Sequence, residues 1–244
     1  MSKTLALFHP VIRSWFEDQV GQPTDAQRLA WPAIAAGQHV LLTAPTGSGK
    51  TLAAFLWAIH QLASGAWAPG QTRVVYISPL RALNNDIRRN LLGPLAALRA
   101  RFEAAGQPMP AIQVLTRSSD TPGSERQRMV RRPPEILVTT PESLNLLVSS
   151  AGGRRMLSGV AQVILDEIHA VVDSKRGTHL ITAVDRLALL AGEVQRVALS
   201  ATVRPVSVVA DFVGGYTYRG SGEHAVYTPR PVAILEARDP KRLE

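Results

Sequence analysis

An alternation along the chain constrains the fold more than any single residue does. Short β-branched runs stand at His39–Thr43, Thr72–Ser78, Ala111–Leu115, Glu135–Thr139, Ala161–Leu165 and Gln195–Ser200. Between them lie longer stretches with helical spacing: Lys50–Ser64, Leu80–Ala104, Pro141–Ser149 and Gly177–Ala191. Strand, long connection, strand is the pattern of parallel pairing, because parallel neighbours need a crossover of a dozen residues or more. The expectation is an α/β fold: a doubly wound, mostly parallel sheet with helices on both faces. Val160–Leu165 is apolar without alternation, as a strand covered on both sides should be. Two helical stretches precede the first strand, Pro10–Val20 and Thr24–Ala36, and the second opens on Thr24 and Asp25, a capped start. After Thr202 the pattern weakens to one helix over Pro205–Phe212, an aperiodic loop over Gly214–Gly222 and a strand start at Pro231–Glu236.

Ala44-Pro-Thr-Gly-Ser-Gly-Lys-Thr51 links the first strand to the first crossover helix. It departs from G-x-x-x-x-G-K-[ST] only at its first position, where Ala44 stands for glycine. The residue types suit a phosphate loop. Thr46, Gly47, Ser48 and Gly49 let the backbone wrap so that successive N–H groups face phosphate oxygens. The helix beginning near Lys50 adds its positive end. Lys50 neutralises the β- and γ-phosphates of a nucleoside triphosphate, and the Thr51 hydroxyl ligates Mg²⁺. Val163-Ile-Leu-Asp-Glu-Ile-His169 then sets Asp166 and Glu167 just past an apolar strand. In a parallel sheet the carboxyl ends of the strands form the ligand crevice, so this pair shares an edge with the phosphate loop. Asp166 can hold Mg²⁺, Glu167 can deprotonate an attacking water, and His169 can sense the γ-phosphate.

Composition narrows the class. The formal charge is +8, from 27 Lys and Arg against 19 Asp and Glu, which suits a nucleic-acid partner or a solvated basic surface. No run reaches the about eighteen apolar residues of a membrane span, and residues 1–10 do not read as a signal peptide. The chain has no cysteine, so disulfides and thiolate metal sites are excluded, and a reducing cytoplasm is the expected location. His9, His39, His60, His179 and His224 lack metal-like spacing. Trp31, Trp57 and Trp67 lie in or near helical patterns and are expected to pack. Arg154 and Arg155 read as part of a Gly-rich turn, and Arg126, Arg128, Arg131 and Arg132 as a phosphate-facing or a solvated helix face.

Six motifs in order carry a family resemblance: Pro23-Thr-Asp-Ala-Gln27, Ala44–Thr51, Ser78-Pro-Leu-Arg-Ala-Leu83, Thr140-Pro-Glu-Ser-Leu144, Asp166-Glu-Ile-His169 and Ser200-Ala-Thr202. The chain resembles the first RecA-like motor domain of superfamily-two DExH-box helicases. Through Tyr76–Asp86, Thr116–Arg128 and Asp166–Gly177 it resembles the Lhr (large helicase-related) family. The resemblance implies that Gln27 reads the adenine edge of ATP, with Phe8, Trp15 and Phe16 all open as the stacking aromatic. It implies that Ser78, Pro79, Arg81, Arg117, Thr140, Pro141 and Glu142 line a track for single-stranded DNA, with RNA or a hybrid as the alternative. Ser200, Ala201 and Thr202 would couple nucleotide state to strand movement, facing His169. Movement would be 3′-to-5′. The expected organisation is a helical extension over 1–36, a RecA-like domain over 37–213, and a linker over 214–244 toward a second RecA-like domain, in cis or on another chain.

Overall fold

The computed structural model describes residues 3–78, 87–220 and 222–237. Seven strands form one sheet: β1 (His39–Thr43), β2 (Val74–Ile77), β3 (Val114–Arg117), β4 (Ile136–Thr139), β5 (Gln162–Leu165), β6 (Gln195–Ser200) and β9 (Val232–Glu236). Their order is β3-β4-β2-β5-β6-β1-β9, and every pairing within this sheet is parallel. The doubly wound α/β expectation holds.

Side-chain alternation divides the core into two layers. β2 sends Val74 and Tyr76 into one and Val75 and Ile77 into the other. The first layer is covered by α1 (Pro10–Gln19), α2 (Asp25–Ala35), α3 (Lys50–Ala63) and α4 (Gly93–Ala104). The second is covered by α5 (Gly123–Arg131), α6 (Pro141–Ser149), α7 (Ala151–Leu157), α8 (Lys175–Ala191) and α9 (Val206–Gly214). The five inner strands, β4, β2, β5, β6 and β1, are buried on both faces and carry no polar alternation, whereas the edge strands β3 and β9 are more open. Trp31 and Trp57 are buried in the first layer and Trp67 packs against it, as expected of packing residues.

Three local expectations fail. Ala111–Leu115 is shifted, because the strand runs over Val114–Arg117 with Arg117 in register with Thr139. Arg154 and Arg155 sit in helix α7, which Ser150 caps by accepting the Gly153 N–H at 3.1 Å; the cap outweighs the two glycines that suggested a turn. Gly214–Gly222 is only partly a loop: β7 (Tyr216–Arg219) pairs antiparallel with β8 (Val226–Pro229) outside the main sheet. The period-2 signal of Tyr216-Thr-Tyr-Arg219 was masked by the flanking glycines. The strand start at Pro231–Glu236 becomes the seventh strand, parallel to β1. Among the described residues no helix is long and apolar enough to cross a membrane.

Candidate active site and nucleic-acid edge

Every strand of the parallel sheet ends at one edge, and for all but β9 a motif residue is the last residue of the strand or comes just after it. Taken across the sheet, the edge carries Arg117, Thr140, Ser78, Asp166, Ser200 and the phosphate loop in that order. β4 and β1 lie four strand spacings apart, about 19 Å. The edge therefore divides into a half with loop, carboxylates and helix start, and a half with hydroxyl and basic groups.

On the first half, a cleft of about 740 Å³ is lined by Thr46, Gly47, Gly49, Lys50, Thr51, Asp166, Glu167 and Gln27. Gly47 and Gly49 have φ of 82° and 83°, a conformation that glycine adopts without strain. At Gly49 an added Cβ would meet the Gln27 amide nitrogen at 2.7 Å, so a larger residue would be strained by its φ and would push Gln27 from its place. Gln27 reaches this place through a capping box. Thr24 Oγ1 accepts the Gln27 N–H at 3.3 Å, and Gln27 Oε1 accepts the Thr24 N–H at 3.0 Å, an arrangement of roughly 1 kcal/mol. Thr24 Oγ1 also donates to the Ser48 carbonyl at 2.8 Å, which fastens α2 to the phosphate loop. Gln27 retains one amide N–H and one oxygen lone pair beyond its contacts to Thr24 and Gly49.

Lys50 is buried at 7 % exposure, and its ammonium donates to the carbonyls of Ala44 at 2.6 Å and Pro45 at 2.8 Å. Burial holds it below the usual lysine range, while Glu167 and Asp166 act in the opposite direction. Asp166 is buried too. Desolvation raises its pKa, opposed chiefly by a hydrogen bond donated by the Tyr76 hydroxyl. Its Oδ1 accepts the Glu167 N–H at 3.0 Å. Glu167 sits at φ 50°, the one non-glycine residue with positive φ among those described, a cost of about 1–3 kcal/mol that tertiary structure must hold in place. The Ser48 hydroxyl is buried without a partner among the described residues, a donor that a phosphate oxygen would satisfy.

The donors present fit Mg²⁺ bound together with a nucleotide. A buried carboxylate and a hydroxyl face one cleft, and no cluster of three or more His, Asp or Glu forms a cage of its own among the described residues. Mg²⁺ is commonly held by one or two carboxylates plus substrate phosphates.

The DEAD/DEAH box helicase family profile matches residues 24–210 of this chain. The chain belongs to the DEAD/DEAH box helicase family. Within that family it is 50% identical over 213 residues to the Lhr helicase/probable uracil glycosylase of Mycolicibacterium smegmatis, covering 86% of this chain and 14% of that protein. It is 44% identical to the ATP-dependent helicase Lhr-Core protein 2 of Thermococcus barophilus, covering 96% of this chain and 26% of that one. Its fold matches Mycobacterium smegmatis helicase Lhr, solved with single-stranded DNA and AMP-PNP, with a TM-score of 0.84 at 45% identity, over 96% of this chain and 28% of the other. The chain thus spans about a quarter or less of the length of these relatives.

In this helicase domain His169 joins two motifs. Its Nδ1 accepts the Ala201 N–H at 3.2 Å, and its Nε2 lies 3.1 Å from Glu167 Oε2. An Nδ1 that accepts leaves the ring proton on Nε2, so His169 donates to Glu167. Ser200 and Thr202 flank the bonded Ala201, and the buried Ser200 hydroxyl has no partner among the described residues.

On the other half of the edge, Thr140 caps α6 by accepting the Ser143 N–H, with Pro141 at the first helical position. Glu142, expected on the track, is engaged by Arg176 from the first turn of α8, with contacts of 2.6 and 3.3 Å. That bond holds its carboxyl at about 2. Arg117 has desolvation and the neighbouring Arg126 guanidinium lowering its pKa. Arg126 is not simply solvated: it donates to the carbonyls of Thr121 at 2.7 Å and Ser119 at 2.6 Å, shaping the turn after β3. Ser78 is buried at the end of β2. Pro79 and Arg81 lie outside the described residues.

Of the three candidate aromatics, Phe8 and Phe16 meet Trp31 edge-on in the core, and Trp15 alone lines the cleft. Arg89 and Asn90, just before α4, line it as well. No spacing relative to the phosphate loop marks those two. They reach the cleft because α4 packs beside α1.

Proposed function

We propose that this chain is the ATP-binding motor domain of an Lhr-type, ATP-dependent DNA helicase that moves 3′-to-5′ along a single strand and works with a second RecA-like domain. One observation carries the reading: a single sheet edge brings together the phosphate loop, the Asp166–Glu167 pair, the Ser200–Thr202 turn and a run of polar and basic groups. Nucleotide chemistry and strand contact then share one rigid element.

In this reading Gln27 takes the adenine edge, and Trp15, which lines the cleft although largely buried in the core, packs on the base. The N–H groups of Thr46, Gly47, Ser48 and Gly49 surround the phosphates. Lys50 exchanges its loop carbonyls for β- and γ-phosphate oxygens. Thr51 and Asp166 hold Mg²⁺, which when bound neutralises charge on the phosphate oxygens. Glu167 orients the attacking water and accepts its proton. His169 then transmits the state of that carboxylate to Ala201. On the track, Ser78, Pro79, Arg81, Arg117, Thr140 and Pro141 hold sugar and phosphate without reading bases, and Glu142 anchors Arg176 beside them.

Two measurements test it. Lys50→Ala should bind Mg·ADP at least tenfold more weakly by calorimetry, in a protein with unchanged circular dichroism, because the loop loses its side-chain cation. Equal affinity in the folded variant would remove the nucleotide assignment. Arg117→Ala should weaken single-stranded DNA binding similarly for all sequences and reduce the salt slope by about 0.7, one phosphate contact. An unchanged slope would take Arg117 off the track. Competition between matched DNA and RNA strands decides which nucleic acid the track prefers.

A further inference from the structure

Resting on the nucleotide-site reading above, we propose that Tyr76 is a positioning residue for Mg²⁺: its phenol fixes the orientation of the Asp166 carboxylate. Tyr76 lies on β2, beside β5, and points into the first core layer at 1 % exposure. Its hydroxyl is the polar end of a side chain buried in that layer. That hydroxyl donates to Asp166 Oδ2. The other oxygen, Oδ1, accepts the Glu167 N–H at 3.0 Å.

Two donors on two different oxygens define the carboxylate plane. Without them the terminal torsion of aspartate is broad and has no preferred well deep enough to hold it. Each oxygen keeps a further lone pair, and Asp166 lines the cleft. The phenol itself is held by Phe55, whose ring centroid lies 4.9 Å away at an interplanar angle of 31°. Phe55 belongs to α3, the helix that begins with Lys50 and Thr51. Tyr76 therefore ties Asp166, at the end of β5, to the helix bearing the other proposed cation ligand, Thr51. Groups in this outer position govern ligand orientation at metal sites generally, and their loss lowers metal affinity by roughly 10–100-fold.

Tyr76→Phe keeps the ring and removes only the donor. ADP affinity should be measured by calorimetry in Mg²⁺ and in EDTA, for wild type and variant. We expect the EDTA affinity to stay within about twofold and the gain produced by Mg²⁺ to shrink about tenfold, the lower end of the range for outer-shell partners. A loss of equal size in both buffers would mean a merely structural tyrosine, and no loss in either would also overturn the proposal. Wild type that gains nothing from Mg²⁺ would instead overturn the nucleotide-site reading on which it rests. Should Tyr76→Phe fail to fold, a ring-fluorinated tyrosine at 76 serves, in a chain carrying Tyr216→Phe, Tyr218→Phe and Tyr227→Phe. Those three residues are exposed on the β7–β8 hairpin. The fluorine resonance should shift when Mg²⁺ is added to the ADP-bound chain, and a resonance that Mg²⁺ leaves in place would overturn the proposal.

Discussion

Joined to a second RecA-like domain, this chain should hydrolyse ATP about 10³–10⁵-fold faster than it does as an isolated monomer, the range an arginine finger supplies in phosphoryl transfer. The reason lies in the shape of the cleft. The phosphate loop, Lys50, Thr51, Asp166 and Glu167 all line the cleft from one sheet edge, and would meet a nucleotide from that side. Charge developing on the γ-phosphate also needs a cation from the facing side. Arg89 is the one described arginine that lines the cleft, and it belongs to the wall formed with Trp15, Gln19 and Pro94. That wall is part of the same domain, so Arg89 cannot report closure of two domains over the phosphate. In the proposed reading translocation adds a second requirement: two grips whose separation changes during turnover, of which this chain would supply one. The relatives are about four to seven times longer than the matched segment, which leaves ample chain for the second half. The measurement is steady-state ATPase with and without single-stranded DNA, on residues 1–244 and on a polypeptide carrying both domains. Robust DNA-stimulated turnover by the monomeric short chain would refute the two-domain reading. Loss of that turnover in Arg89→Ala would identify Arg89 as a finger supplied in cis.

Glu167→Gln should separate binding from chemistry. In the two-domain polypeptide it should lower turnover about 10²–10⁴-fold, the usual contribution of a general base, with ATP affinity nearly unchanged. Glutamine has the shape of glutamate and can still accept the His169 Nε2–H bond, so the link to Ala201 survives while the proton acceptor is lost. Single-turnover hydrolysis and nucleotide titration measure the two quantities separately. Turnover within a factor of two of wild type would assign the base elsewhere. His169→Ala is a useful companion, since it leaves Glu167 ionisable but unsupported. If His169 positions the base, hydrolysis should fall less than in Glu167→Gln, and the coupling of ATP to DNA affinity should fall with it.

Much of this protein follows from local chemistry. The alternation of β-branched runs with helical stretches specifies a parallel sheet, because crossovers of that length allow no tight antiparallel return. Gly47, Gly49, Lys50 and Thr51 are legible as a phosphate loop because backbone wrapping, a cation and a hydroxyl are needed in that order along the chain. Asp166 and Glu167 are legible because they follow an apolar strand, and strand ends in such sheets converge. What the sequence left open depended on contacts between distant segments. Trp15 rather than Phe8 or Phe16 lines the cleft, though all three are buried in one core layer, where the other two meet Trp31 edge-on. Arg176 meets Glu142 because α8 packs along α6, 34 residues away in the chain. Tyr76 reads as one more apolar strand residue until β5 lies beside β2 and sets Asp166 against its hydroxyl. Local sequence determines most of the central strands and crossover helices, though not the bounds of β3, the helix α7 or the β7–β8 pair. Only packing decides which side chains from different strand ends face one another, because that depends on strand order, and strand order is settled by burying both faces of the sheet at once.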